Sequence, residues 1–434
     1  MTPRVYLETL GCAKNQVDSD KLTARLTEAG YAWTERADDA DVVMVNTCAF
    51  IEAARRESID AVLDLADRSR SDARVVVLGC MAQRYETELA AELPEVDDVI
   101  GLDRYGELVD RLDAMTGWEP LRLGRPAMDI LYETRRPTPS TPFAYVKVAE
   151  GCDKPCTFCA IPLFRGKQRS RAPVNIRDEI AALAADGVGE TVLVAQDLAA
   201  YGRDIDAPGG IVELLRFVSD VPGLRRLRLL YLYPKEIRDA LVAEMAGNPL
   251  VASYFDLSLQ HVSNHLLRAM KRPGDGDRHL DLVARIRRAD PEAALRSSFI
   301  VGFPGESDDD VDALADFLAE ARLDWAGFFP YSPEEGTPAA ALGGRVDDDE
   351  VAERVRYLTA LQDDITAERS AERIGSIVEV LVDQVEDGRP VGRSYREAPE
   401  IDGVVLLDRG EPGEWVTARI TGSYGGDTLA EVVG

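Results

Sequence analysis

Short apolar runs alternate with amphipathic stretches over the first hundred positions. Residues 5–10 (Val-Tyr-Leu-Glu-Thr-Leu) read as a strand, 18–29 have helical spacing, 41–46 read as a buried strand, 52–68 as a helix and 74–78 as a third strand. That alternation predicts a parallel α/β sheet. Prolines at 137, 139 and 142 then interrupt any regular pattern. Six further strands follow, at 144–148, 190–195, 227–231, 254–259, 295–301 and 325–329, with helical stretches such as 176–184 and 308–321 between them. Repeated β/α units of this kind predict a partial TIM-like (β/α)6 barrel. From about residue 374 the alternation shortens to strands at 376–381, 404–407, 414–421 and 427–432, punctuated by glycines, which reads as a small antiparallel barrel. The expected division is an α/β sheet domain at 1–115, a linker at 116–141, a barrel at 142–372 and a small barrel at 373–434.

Composition narrows the setting. The 434 residues are 45% hydrophobic and 29% charged, as in ordinary globular domains. No run of about 18 apolar residues suggests a membrane span, and the first residues enter a strand without an apolar leader, so a cytoplasmic protein is expected. The net charge of −28 disfavours a nucleic acid backbone as main partner and favours a basic one.

The six cysteines divide into two sets. Cys152, Cys156 and Cys159 form a C-x₃-C-x₂-C run with no fourth cysteine nearby. Structural zinc wants four ligands, often with histidine, and the histidines lie at 261, 265 and 279, more than a hundred residues downstream. A disulfide framework belongs to small secreted domains, and three thiols within eight residues beside Asp153, Lys154 and Pro155 do not form a core stripe. The run favours an iron–sulfur cluster with one iron left open. Cys12, Cys48 and Cys80 each come just after a predicted strand. Ligands of open parallel sheets bind outside the carboxyl ends of strands, so these thiols are expected to converge on a second cluster, the alternative being three unrelated buried thiols.

The first run, on the loop after the first barrel strand, resembles the radical S-adenosylmethionine enzymes. Leu10-Gly11-Cys12-Ala13-Lys14-Asn15, Asn46-Thr47-Cys48, Leu78-Gly79-Cys80 and Gly151-Cys152 through Cys159, with Ile161-Pro162 and Arg165-Gly166, resemble the methylthiotransferases over nearly the whole chain. The resemblance implies two [4Fe-4S] clusters, each on three cysteines: one at Cys152, Cys156 and Cys159 that chelates and splits S-adenosylmethionine, and one at Cys12, Cys48 and Cys80 that holds the sulfur to be delivered. It further implies an OB-like TRAM barrel at the C-terminal end, and an external electron donor and sulfur source.

Other residues enter less directly. Gln196 and Gly302 end strands on the presumed active face. Gln196 is expected to contact cofactor or substrate. Gly302 either lets an adenosyl group of the cofactor approach the backbone or simply makes a strand-to-helix turn, with Glu306 near the helix start. Arg165, Lys167, Arg169 and Arg171 form a basic loop past the cysteine run, expected to be solvated at the mouth. Arg165 and Arg169, with Asp197, are candidate substrate contacts. The family divides between enzymes acting on a tRNA adenosine and one acting on an aspartate of a small-subunit ribosomal protein. Residues 376–434 carry twelve acids against five arginines and no lysine, a net of −7. Such a domain repels phosphates and attracts a basic ribosomal protein. Gly392 to Gly403, Cys159-Ala160-Ile161-Pro162 and Asp197 after Gln196 also resemble the ribosomal-protein branch. Methylthiolation of an aspartate β-carbon is therefore expected, with tRNA adenosine methylthiolation and a non-catalytic iron–sulfur carrier as alternatives. Arg393 and Arg396 are the residues that a tRNA-facing patch on this domain would use.

Overall fold

A computed structural model describes residues 2–118, 136–205, 207 and 209–433. Most of the expected linker lies outside them. The first domain is a parallel sheet in the order β2-β1-β3-β4-β5, formed by β1 (Arg4–Thr9), β2 (Ala32–Trp33), β3 (Val42–Thr47), β4 (Arg74–Leu78) and β5 (Asp98–Ile100). β3 is buried along its whole length, with an apolar run over 42–45 as expected of a central strand, followed by buried Asn46 and Thr47. The short edge strands β2 and β5 carry too little pattern to be read from sequence. The first helix, Ala13–Glu28, starts five residues earlier than its periodicity suggests, with Cys12 at its N-cap.

The second domain contains six parallel strands: β6 (Phe143–Lys147), β9 (Glu190–Val194), β10 (Arg226–Leu229), β11 (Tyr254–Gln260), β12 (Ala294–Val301) and β13 (Trp325–Pro330). They form two three-stranded sheets, β6-β9-β10 and β11-β12-β13, joined by parallel bridges at Leu227–Val251 and Leu232–Leu257. β7 (Ala149–Glu150) and β8 (Arg169–Ser170) pair across the base of the cysteine loop. Val146, Leu193, Leu229, Phe255, Leu295 and Phe299 face the outer helices. Phe143, Tyr145, Val192, Val194, Leu230, Tyr254 and Ala294 face the lumen, as period-two alternation dictates.

The third domain is a closed barrel ordered β14-β15-β16-β18-β17, from β14 (Ile377–Glu386), β15 (Arg389–Arg393), β16 (Val405–Leu407), β17 (Trp415–Tyr424) and β18 (Asp427–Val432). It has one strand more than the sequence pattern suggests, and β16 and β18 are parallel rather than antiparallel. The segment after β15 enters the floor of the large barrel. Ala398 packs among the lumen residues, and the Tyr145 hydroxyl donates to Glu400 at 2.8 Å. Arg228 donates to Glu190 at 2.8 Å and to the Tyr395 carbonyl at 2.7 Å. Arg393 reaches Glu190 at 2.9 Å and Asp383 at 2.6 Å, and Arg396 pairs with Asp324. Both arginines are therefore buried in ion pairs, and neither forms an exposed patch for tRNA.

Candidate functional site

The first domain caps the mouth of the barrel, where the strand carboxyl ends lie. Cys12, Cys48 and Cys80 follow β1, β3 and β4, which are neighbours in the sheet, so the topology brings together thiols more than thirty residues apart. Gly11 and Gly79 precede two of them with φ near +94°. A Cβ on Gly11 would meet Cys48 Cβ at 2.8 Å and Sγ at 3.0 Å, so only glycine lets these turns close. Gly151, before Cys152, repeats the device at φ +77°, where a Cβ would strike the Lys167 carbonyl at 2.2 Å.

The Cys152 loop is anchored on both sides. Thr157 donates its N–H to Met270 O at 3.1 Å and its hydroxyl to Ala269 O at 2.8 Å. Phe158 packs on Leu266, Leu267 and Phe303. Beyond Cys159, Ala160 and Phe164 enter the core of the first domain beside Cys80 and Met81. Burying Phe164 contributes about 1.5–3 kcal/mol to that docking.

Charge ties the two cysteine sets together. Arg165 Nη2 donates to Cys80 Sγ at 2.9 Å and Asn15 Oδ1 at 2.8 Å, while Nη1 reaches Glu150 at 2.8 Å. Glu150, two residues before Cys152, also accepts from Lys147 at 2.7 Å and Gln196 at 2.9 Å; Lys147 in turn pairs with Asp18. Burial alone raises the Glu150 carboxyl, yet Arg165 and Lys147 outweigh it and hold the group well below the usual carboxylate range. Around the second set, Lys154 pairs with Glu236 at 2.7 Å and faces Asp197 at 3.2 Å, and Arg272 lies 3.7 Å from Cys156 Sγ.

Burial pushes the Cys80 and Cys159 thiols up to about 12, and raises Cys48 and Cys152. Within each set neighbouring thiols also oppose one another's ionisation. Cys12 moves the other way: burial raises it, but Lys14, Arg165 and two backbone N–H groups outweigh burial. Among the described residues no three His, Cys, Asp or Glu side chains are spaced to hold one metal ion. A cluster makes a different demand, because each thiolate binds its own iron. Two triads of free thiols amid Lys14, Arg165, Lys154 and Arg272 are a donor set that fits it.

The other sequence-identified residues divide. Gln196 reaches the site, and its Oε1 is buried without a hydrogen bond. Asp197 is buried, and burial raises its carboxyl against the opposing effect of Lys154. Gly302 turns at φ +79°, donates its N–H to Glu306 at 2.9 Å, and faces Val351 so closely that a Cβ would lie 2.3 Å from it. Packing against the helix Asp348–Ala371 thus requires glycine there, and a cavity of about 140 Å³ lies alongside. The basic loop is not uniformly solvated, contrary to expectation: Lys167 and Arg169 are exposed, but Arg165 and Arg171 are buried. Arg171 pairs with Glu179 at 2.7 Å, and the Arg165 guanidinium is committed to Glu150, Asn15 and Cys80. Lys147, Glu150, Asn15, Asp18 and Arg272 were missed as site residues. Adjacency to the cysteine motifs could have flagged Glu150 and Asn15, whereas nothing local marks Arg272.

A parallel half-barrel with a three-cysteine loop after its first strand is the architecture of the Radical SAM superfamily, whose model matches residues 146–318. Residues 4–101 match the uncharacterized protein family UPF0004, and residues 374–433 the TRAM domain. The ribosomal protein uS12 methylthiotransferase RimO of Saccharopolyspora erythraea is 42% identical over 99% of this chain and 95% of its own length. That of Anaeromyxobacter sp. (strain K) is 44% identical over 100% and 94%. The chain belongs to the RimO family of radical SAM methylthiotransferases. In fold it is similar to the radical S-adenosylmethionine methyltransferase TsrM from Kitasatospora setae, at TM-score 0.56 and 17% identity over 78% of this chain and 74% of that one.

Proposed function

We propose that the protein adds a methylthio group to the β-carbon of an aspartate in ribosomal protein uS12. Cys152, Cys156 and Cys159 would hold one [4Fe-4S] cluster with an open iron for S-adenosylmethionine, and Cys12, Cys48 and Cys80 a second. The observation that carries this reading is Arg165, which touches Cys80 on one side and Glu150, beside the Cys152 loop, on the other. One side chain that joins a thiol of the first triad to the strand leading into the second suits chemistry in which one site activates a carbon and the other supplies sulfur to it. When bound, the clusters and S-adenosylmethionine supply the electron, the hydrogen-abstracting radical and the sulfur, chemistry that no side-chain base offers at an unactivated carbon.

The chain's own contribution is placement and exclusion of water. Ala160 and Phe164 lock the second loop to the first domain, and the Asp18–Lys147–Glu150–Arg165 chain fills the interface with satisfied charge. Glu334, buried, accepts from Arg84 at 2.9 Å and pairs with Arg55, which fastens the cap at its other edge. An aspartate-bearing basic protein suits the acidic third domain, and the burial of Arg393 and Arg396 removes the residues a tRNA reading would use. No helix among the described residues is long and apolar enough to cross a membrane.

The deciding experiment is anaerobic. Protein reconstituted with iron and sulfide is reduced with dithionite and given S-adenosylmethionine with either uS12 or tRNA. The expected product is uS12 heavier by one methylthio group; the same gain on tRNA alone would refute the assignment.

A further inference from the structure

Among the described residues, buried lysines and arginines have oxygen partners, with one exception. Lys21 meets Glu179 at 2.9 Å, Lys147 meets Glu150 at 2.7 Å, and Arg25 donates to the carbonyls of Tyr105 and Gly106. Among the described residues, Lys14 alone of the buried lysines and arginines has neither a hydrogen bond nor an ion pair from its side chain to oxygen. It is only 7% exposed. Its ammonium stands 3.8 Å from the centre of the Tyr231 ring. A cation–π contact of this kind offsets part of the cost of burying a charge, but it does not neutralise that charge.

The position of the ammonium matters as much as its isolation. Lys14 lies two residues past Cys12, in the first turn of the helix Ala13–Glu28, and reaches to Tyr231, just beyond the carboxyl end of β10. It therefore spans from the first thiol set to the rim of the barrel. Tyr231 holds a left-handed backbone at φ +64°, uncommon for a non-glycine residue, and its N–H is fixed by Asp256 at 2.9 Å. Strain of this kind persists where the surroundings over-determine a functional geometry. Glu150, the carboxylate whose charge acts on the ammonium, is already taken by Lys147, Arg165, Gln196 and the Gly151 N–H. Gln196, whose Nε2 donates to that same Glu150 at 2.9 Å, has its Oε1 buried without a partner.

We infer that Lys14 binds the side-chain carboxylate of the substrate aspartate and sets the preference for aspartate over asparagine. The inference rests on the function proposed above. In that reaction the carbon to be modified is bonded directly to the carboxylate carbon. An ammonium anchored between the first thiol set and the barrel rim therefore fixes the reacting carbon at the barrel mouth, beside that first set. Orientation of that kind is a large part of what an enzyme supplies to a radical step. Lys14 is a substrate-binding residue in this account, and an anion of another kind is the competing occupant: the negative charge of a cluster on Cys12 itself.

The test compares wild type, Lys14→Gln and Lys14→Arg, each reconstituted with both clusters, on uS12 and on uS12 carrying asparagine at the target position. Readouts are the Kd of labelled uS12 by fluorescence anisotropy, the split between KM and kcat, and the iron content and EPR signal of each cluster. A charge-assisted hydrogen bond is worth roughly ten- to a hundredfold in binding. Lys14→Gln should raise KM and Kd for uS12 by about that factor and lower the aspartate-over-asparagine preference equally, with cluster iron intact; Lys14→Arg should restore most of both. Unchanged KM and unchanged preference in Lys14→Gln would overturn the inference. So would loss of iron from the Cys12 set with uS12 affinity retained, which assigns Lys14 to the cluster. A wild-type enzyme inert on uS12 would instead overturn the proposed function, and this inference with it.

Discussion

The mouth and the floor of the barrel are built from the same material, arginines and lysines buried against carboxylates, but they are finished differently. At the floor, Glu190 accepts Arg228 and Arg393 and lies 3.5 Å from Arg226. Asp402 accepts the Tyr254 hydroxyl, Arg296 and the Ala398 N–H. At the mouth, Lys14 has no hydrogen-bonded carboxylate, Gln196 Oε1 lacks a donor, and the buried Asp197 carboxylate has Lys154 at 3.2 Å as its ion-pair partner. Six free thiols stand among these groups. Buried polar groups are satisfied almost everywhere in folded proteins, so those left open together mark where ligands complete the structure. The floor is not wholly closed, since Arg396 Nη1 is also buried without a hydrogen bond, but at the mouth the open groups stand among free thiols.

Removing thiols at the mouth gives the largest expected effects and separates the two triads. Cys156→Ala should abolish deoxyadenosine formation from S-adenosylmethionine, measured by chromatography. Cys48→Ala should keep deoxyadenosine formation but yield no methylthiolated uS12 by mass spectrometry. Deoxyadenosine from the Cys156 variant would sink the assignment of that loop, and neither change should loosen the floor.

A cut at the floor should cost stability instead. Glu190→Ala leaves three arginines buried around an uncompensated space, and about 3–5 kcal/mol of unfolding free energy should be lost in urea titrations. The third domain should detach before the first. A loss below about 1 kcal/mol would mean that the floor network contributes no net attachment.

The smallest expected effect is a pH dependence confined to the floor. Burial raises the Glu190 carboxyl, but Arg393, Arg228 and Arg226 bring it down to about 2. Its stabilisation is therefore complete above the unfolded value of about 4.5 and is lost as pH falls from there towards 2. Asp402 runs the opposite way. Burial, only partly offset by Arg296, lifts it to about 6, so the fold disfavours its charged form. Its contribution grows as pH drops from about 6 to 4. Thermal unfolding of wild type should thus gain slightly on mild acidification and decline below pH 4.5, and Glu190→Gln should lack that decline.

The parallel sheet, the six barrel strands and the small terminal barrel were legible because each rests on local periodicity. β2, β5 and β15 were not: two or three residues carry no period, and β15 contains Pro390 and Gly392. The cysteine sets were legible from strand–glycine–cysteine order, since parallel topology itself delivers the carboxyl ends of β1, β3 and β4 to one edge. Arg165 shows where that legibility stops. Its sequence neighbours Lys167 and Arg169 are solvated as a basic run should be, whereas it is buried against a thiol 85 positions away. Arg393 and Arg396 show the same limit, because each has a carboxylate partner in another domain, Glu190 and Asp324.

By itself, then, the sequence determined what is encoded within a few residues: strand and helix periods, glycine turns ahead of thiols, the three-cysteine loop and the acidity of the last domain. The tertiary structure alone decided which charges are spent and which are free. Arg165 links Cys80 to Glu150, Arg393 and Arg396 are spent in ion pairs at the floor, and Lys14 is left without a hydrogen-bonded carboxylate. The reason is that charge satisfaction depends on partners brought within about 3 Å by folding, and no local pattern in the chain records that distance.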